Sequence, residues 1–294
     1  MAFAKDLVRN SERPIALKKE YVQLHQQYSI GEYGTEYPIC VVAPGRNLVK
    51  NNMYLRFFQS IENQNYSNYR LFITDDASTD DTYNLFKKKV QEFPRLRTKT
   101  TLIKNSRNIG ALGNKFLTVH DHCEEGSIVF DVDADDSLVG RQVMKLMNAL
   151  YQSSGKWFIY SNFVERRAQL VNQGISGPIK PEILAANSYR ATPNTLWVTS
   201  ALRTYLRDLY VKIPKEYFFE SENKFYFETS DRFQMYALVE LAGADNIKFI
   251  PDILYLYEWS GPNRNRDECY YAEILYYEYL ARSQTPLLPL KSLD

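Results

Sequence analysis

Ser127-Ile128-Val129-Phe130-Asp131-Val132-Asp133-Ala134-Asp135-Asp136 joins a short apolar run directly to four aspartates within six residues. Ser127 to Phe130 reads as a buried strand, and the acids follow where that strand ends. Like charges this close repel one another, so a fold that gathers them needs a compensating cation or solvent. Carboxylates are hard oxygen ligands suited to Mg2+ or Mn2+, ions that keep waters and complete their shell with phosphate oxygens. The histidines, His25, His120 and His122, have no zinc-type spacing with cysteine. A solvated turn in which Asp136 caps the next helix is the plainer alternative.

Working outward from this stretch, a β-then-α rhythm covers residues 38 to 164. Ile39 to Ala43 reads as a strand broken by Pro44-Gly45, and the helix after it turns Met53, Leu55, Phe57, Phe58 and Ile61 inward. A second strand, Tyr69 to Thr74, ends at Asp75-Asp76. The next helix is expected to start at Ser78 or Thr79 as N-cap, with Asp80 and Asp81 in its first turn and Lys87 to Lys89 near its end, matching the helix dipole. A third strand, Thr100 to Ile103, leads through Asn105 to Gly110 into a helix reaching His120. After the acids, Val143, Leu146, Met147 and Leu150 recur at helical spacing, and Trp157 to Asn162 reads as another strand. This alternation implies the α/β class with a mostly parallel central sheet flanked by helices. Three polar clusters then fall just past the C-terminal strand ends, where open sheets of this kind bind ligands.

Beyond about residue 164 the rhythm weakens. Residues 172 to 181 read as a long loop that could close over a site, followed later by a helix from about Asp231 to Ala242 and a strand at Lys248 to Ile250. Residues 1 to 37 are expected to be an arm or one short helix.

Across 294 residues, 45% hydrophobic and 24% charged content excludes a disordered or fibrous chain, and a net charge of +1 gives no reason to expect nucleic acid or a membrane surface as partner. Cys40, Cys123 and Cys269 are odd in number and far apart, which suits reduced structural thiols. Neither an N-terminal apolar signal nor a run of 18 uncharged apolar residues is found, so the expected location is cytoplasmic with no membrane span. The 23 tyrosines read first as core and surface filling, and second as sugar-stacking platforms.

Four segments occur in a characteristic order and spacing: Pro44 to Asn47, Asp75-Asp76-Ala77-Ser78-Thr79-Asp80, Asn108-Ile109-Gly110 with Asn114, and Asp133-Ala134-Asp135-Asp136. Together they resemble the nucleotide-binding half of family 2 glycosyltransferases. The resemblance implies a GT-A fold, a nucleotide-sugar donor (most simply a UDP-sugar), inversion at the anomeric carbon of a hexose, and an acceptor hydroxyl on a glycan, protein or small molecule. It implies that residues 38–164 form the donor half and residues 165–294 the acceptor and catalytic half. Ala43, Pro44, Arg46, Asp75 and Asp76 would line the base and ribose, Asp76 being the favoured base contact, and Asn108 and Asn114 would border the donor. Asp133 and Ala134 of this DXD segment would face the ribose, with Asp133 and Asp135 holding Mn2+ or Mg2+ against the diphosphate. Thr229-Ser230-Asp231 is similar to the family's acidic motif at a helix start, which makes Asp231 the candidate base.

Trp197, Arg203 and Glu228 are acceptor-side candidates. Ser230 stands where the family usually has glutamate, which leaves Glu228 open as the base. Glu258 and Ser260 stand where Arg and His are common, so no third protein ligand to a metal is implied. Two other functions fit parts of the pattern: a nucleotidyltransferase, against which Pro44-Gly45-Arg46-Asn47 is short and carries one basic residue, and a nucleotide-sugar-binding module without transfer. No Gly-x-Gly-x-x-Gly follows the first strand, which sets aside a dinucleotide-binding oxidoreductase.

Overall fold

The computed structural model describes residues 35–49, 52, 54–167, 170–174, 176–192, 197–222, 224–258 and 268–294. Most of the expected N-terminal arm, residues 1–34, and Ser260 lie outside the described residues. The first part of the chain runs β1 (Ile39–Gly45), α1 (Tyr54–Glu62), β2 (Tyr69–Asp75), α2 (Thr82–Glu92), α3 (Leu96–Lys99), β3 (Thr100–Lys104), α4 (Gly110–His122), β4 (Ile128–Asp131), β5 (Ser137–Leu138) and α5 (Val143–Ser154). It continues with β6 (Phe158–Arg167), β7 (Leu170–Gln173), α6 (Pro181–Ala185), β8 (Arg203–Leu206), α7 (Arg207–Tyr210), β9 (Phe219–Ser221), β10 (Lys224–Phe225), α8 (Ser230–Ala242), β11 (Ile247–Glu258) and α9 (Glu268–Ser283).

One sheet carries the order β3-β2-β1-β4-β8-β6-β11-β5, with β7 paired to β6. Strands β3, β2, β1 and β4 are parallel, as the βα rhythm requires. Strand β8 is antiparallel to both of its neighbours, β4 and β6, and so stitches the second half of the chain onto the first. Alternation along β1 divides the core. Ile39, Val41 and Ala43 pack with Phe57, Phe58, Phe86, Met144 and Met147 beneath α1, α2 and α5. Cys40 and Val42 pack on the other face with Leu112, Phe116, Phe233 and Tyr236 of α4 and α8.

Four expectations are corrected. Helix α2 starts at Thr82, later than Ser78 or Thr79, because the acids before it build a turn: Asp75 accepts from the Ser78 amide and hydroxyl, Ala77 is left-handed (φ 53°), and Asp80 accepts from the Thr82 amide at 3.0 Å. Strand β11 extends far beyond Lys248 to Ile250, because it pairs in parallel with β6 past an irregularity between Ile250 and Ile253. The loop read over 172–181 is shorter, because β7 ends at Gln173 and α6 begins at Pro181; between them Gly174 donates to the Phe163 carbonyl, Tyr160 donates to the Gly177 carbonyl, and the Ile179 amide donates to Tyr160.

The fourth concerns the cysteines. Cys40 on β1 and Cys123 at the end of α4 form a disulfide, although 83 positions separate them. The parallel sheet lays α4 back across β1, bringing the two Cα atoms to 5.6 Å, so distance along the chain was a poor guide. Closing so long a loop is expected to contribute about 2–5 kcal/mol. Alkylation of denatured, unreduced protein should therefore leave Cys40 and Cys123 unlabelled, whereas labelling of both would show that the bond does not form.

Candidate functional site

The four aspartates divide between the sheet and the turn beyond it. Asp131 is the last residue of β4 and is buried, so its charge must be met inside the protein. Lys115 from α4 approaches its Oδ1 at 2.6 Å, Gln234 from α8 donates to its Oδ2 at 2.6 Å, and Arg203 from β8 stands 3.7 Å away. Burial opposes ionisation of Asp131, but the charges of Lys115 and Arg203 and these hydrogen bonds hold its carboxyl below the ordinary range. Burial would likewise lower Lys115, yet Asp131 and Asp133 hold it above the usual lysine value. Lys115 also reaches Asp133 at 3.2 Å, and Arg203 reaches Asp231 at 3.6 Å. A chain of alternating charge thus runs from Asp133 through Lys115, Asp131 and Arg203 to Asp231.

The turn after β4 is seated by backbone. The Ala134 amide donates to the Pro44 carbonyl at 3.1 Å, and Ala134 packs so closely on Gly45 that a β-carbon there would lie 2.9 Å from its own. Asp136 accepts from the Tyr255 hydroxyl at 2.6 Å and from the Glu258 amide at 2.7 Å, which anchors the turn to β11. Glu258 is held by Arg56 at 3.0 Å and Arg166 at 2.6 Å. Asp135 lacks such support. Burial and the charge of Asp133 push its carboxyl up to about 7.

Two clefts share Ser230, and the second is bordered by this turn. One, of about 660 Å³ including its open mouth, is lined by Arg46, Asp76, Asn108, Gly110, Phe227, Glu228 and Thr229. The other, of about 720 Å³, is lined by Asp133, Asp136, Phe163, Glu165, Arg203, Asp231, Tyr255 and Tyr257. In the first, Asp76 accepts from Ile109 and Gly110 amides at 3.0 and 2.9 Å and from Asn105 at 2.8 Å, so it caps α4 while facing the cleft. Thr229 is left-handed (φ 47°), a conformation costing roughly 1–2 kcal/mol for a non-glycine residue. It turns the chain into α8 and puts Asp231 in the first helical turn.

Of the residues singled out in the sequence, Arg46, Asp76, Asn108 and Glu228 therefore meet in one cleft and Asp133, Arg203 and Asp231 in the other. Ala43, Pro44 and Ala134 are buried and line neither cleft. Asp75 is buried in its turn, and Asn114 is buried with its amide donating to Gly110 and accepting from Asn105. Trp197 lines neither cleft; it stacks on Tyr189, with the Arg232 guanidinium 3.8 Å from its ring centre. Lys115, Gln234, Glu165 and Tyr257 were not singled out. Lys115 sits one residue after Asn114 in a helix whose pattern reads as surface and core, and only the fold shows the carboxylates it meets.

Among the described residues no three His, Cys, Asp or Glu side chains cluster as a metal site. Asp133 and Asp135 nevertheless suit a hard divalent cation, because two neighbouring carboxylates, one of them kept from ionising by burial and by the charge of the other, are the donor chemistry such an ion favours. Among the described residues no helix is long and apolar enough to cross a membrane.

Two expectations follow. Lys115→Met leaves Asp131 buried without its closest cation and should cost about 3–5 kcal/mol in urea unfolding; a loss under about 1 kcal/mol would show that Arg203 and Gln234 suffice. For Asp135, the folded value near 7 exceeds the ordinary 3.8, so between these limits the native state holds a proton that the unfolded chain releases. Stability without divalent cations should therefore fall as pH rises through that window, and Asp135→Asn should flatten the fall. An unchanged slope in the variant would remove Asp135 as its source.

Comparison with known proteins places these features. The model of glycosyl transferase family 2 matches residues 41–195, more than half of the chain. A search of curated proteins finds no match. Among solved structures, the chain is similar to S. aureus TarS 1–349 in complex with UDP, at 18% identity and a TM-score of 0.57 over 83% of this chain; it spans 65% of that fragment's length. The same fragment in complex with UDP-GlcNAc gives 16% identity and a TM-score of 0.58, over 85% of this chain and 68% of that one. The mannosyltransferase PcManGT from Pyrobaculum calidifontis, in complex with GDP-Man and Mn2+, gives 16% identity and a TM-score of 0.53, over 97% of this chain and 76% of that one. The fold is the GT-A fold, an α/β domain with a large, mostly parallel sheet flanked by helices, and the chain belongs to glycosyltransferase family 2.

Proposed function

We propose that the chain transfers a hexose from a UDP-sugar to an acceptor hydroxyl with inversion at the anomeric carbon. The observation that carries this reading is the pair of clefts meeting at Ser230, with Asp133 and Asp231 together in the second. An inverting transfer needs a nucleotide seat on one side of the sugar and a carboxylate base on the other, and this arrangement provides for both. The complexes of TarS with UDP and UDP-GlcNAc favour a uridine donor. Residues 38–164 then serve mainly as the donor half, residues 165–294 as the acceptor half.

In the nucleotide cleft, Arg46, Asp76 and Asn108 bind the base and ribose. Asp76 is prepaid in position because its hydrogen bonds to α4 hold the carboxylate still. Asp133 and Asp135 would hold Mn2+ or Mg2+, in keeping with the Mn2+ bound by PcManGT, and the ion would supply positive charge against the diphosphate. Asp231 is assigned as the base rather than Glu228, because Asp231 shares its cleft with Asp133 while Glu228 lies among the nucleotide residues. Asp231 takes the proton as the acceptor oxygen bonds to the anomeric carbon and the bond from that carbon to the diphosphate oxygen breaks. The nucleoside diphosphate leaves. Arg203 keeps Asp231 directed into the cleft and ties it to Asp131.

Asp231→Asn should keep donor binding and lose transfer by about 10²–10⁴-fold in kcat; near-normal turnover would exclude Asp231 as base. Asp135→Ala should abolish the Mn2+-dependent part of UDP binding in calorimetry, and unchanged binding would remove it from the metal site.

A further inference from the structure

Helix α9 has two unlike faces. Inward, Tyr277, Glu278 and Ala281 are buried, and Glu278 grips α8 by meeting Arg232 at 3.2 Å and accepting from the Tyr236 hydroxyl at 3.2 Å. Outward, Tyr271, Leu275, Tyr276 and Tyr279 are 55%, 63%, 53% and 67% exposed. Tyr271 and Tyr276 rest edge-on against the rings of Tyr270 and Tyr277 beside them and still show more than half of their surface. Positions 271, 275 and 279 recur every four residues, so they form one row about 12 Å long, flanked by Ala272 and Tyr276. The chain after α9 turns back onto α8, where the Leu287 amide donates to Glu240 and the Leu290 amide to the Leu241 carbonyl, and it leaves the row open.

Charge and symmetry narrow what covers this row. A helix that lies in an anionic lipid surface carries Lys or Arg along its polar flank. Residues 268–283 contain no lysine and one arginine, Arg282, which is committed inward to Glu278 and to the carbonyls of Arg190 and Thr192. Glu273 adds an exposed negative charge. This disfavours anionic lipid and nucleic acid and suits a protein surface, where tyrosine is enriched. From Leu275 the row reads the same in both directions, a leucine with a tyrosine four residues away on either side. Two copies packed antiparallel about a two-fold axis at Leu275 therefore set Leu275 against its own counterpart and Tyr271 against the partner's Tyr279. A tyrosine presents roughly 200 Å² of surface, so the exposed parts of the four side chains amount to roughly 400–500 Å² per copy. A pair would bury roughly 800–1,000 Å², at the lower limit of about 1,000 Å² for a specific interface, which fits a reversible dimer and not an obligate one.

We propose that the outer row of α9 is a homodimer interface, in which two copies of α9 pack antiparallel about a two-fold axis at Leu275. Sedimentation equilibrium of the whole chain between about 1 and 300 µM should show the mass rising from one chain to two, with a Kd in the micromolar range. Leu275→Arg should raise that Kd at least about tenfold and leave thermal unfolding of the monomer unchanged, because the side chain is exposed in the single chain. Tyr279→Glu should also weaken the dimer, and adding Tyr271→Lys to it should recover affinity, because the antiparallel register places those two positions opposite each other. A mass of one chain at every concentration overturns the interface, as does a dimer whose Kd is unmoved by Leu275→Arg. A double variant no tighter than Tyr279→Glu alone overturns the two-fold pairing. Monomeric protein that binds phosphatidylglycerol vesicles, and loses that binding in Leu275→Arg, assigns the row to a membrane and overturns the dimer.

Discussion

The buried carboxylate of Asp131 is the constraint around which the molecule is arranged. A charge at the end of β4, in the middle of the sheet, is tolerated only because three elements from distant parts of the chain deliver partners to it: Lys115 from α4, Arg203 from β8 and Gln234 from α8. Two of those partners also set something nearer the surface. Lys115 restrains Asp133, and Arg203 restrains Asp231, so the carboxylates on two sides of the cleft are fixed by one interior cluster. Such clusters contribute little net stability compared with an apolar replacement, and their use here is positional.

The strand that makes this possible is β8. Inserted antiparallel between β4 and β6, it carries Arg203 directly opposite Asp131 in the ladder and closes the gap between a regular βα half and an irregular second half. Its neighbour β11 then delivers Tyr255 to Asp136 and Tyr257 to the cleft wall. The turn bearing Asp133 to Asp136 is thus held from β1 by the Pro44 carbonyl and from β11 by Tyr255.

Much of this was legible in the sequence, for identifiable reasons. Strands β1, β2, β3 and β4 are short apolar runs ending in polar residues, and parallel strands buried on both faces leave that mark. The segments around Arg46, Asp76, Asn108 and Asp133 were found because each follows such a strand. Residues 203–206 carry no comparable pattern: Arg-Thr-Tyr-Leu becomes a strand only because β4 and β6 offer it edges. Lys115, Gln234 and the Cys40–Cys123 bond depend on contacts between residues 83 or more positions apart, or on a helix lying across the sheet, which local spacing does not encode. Asp75 and Asp80 were legible as acids at a strand end and a helix start, but the turn they build through the left-handed Ala77 was not.

In the proposed transfer one turn, Asp133 to Asp135, faces the leaving diphosphate while Asp231 faces the acceptor. A crystal structure of the protein with UDP and Mn2+ tests this arrangement. It should show the uracil and ribose among Arg46, Asp76 and Asn108, the ion on Asp133 and Asp135, and Asp231 free of both. A nucleotide bound elsewhere, or a diphosphate and ion seated on Asp231, would contradict it.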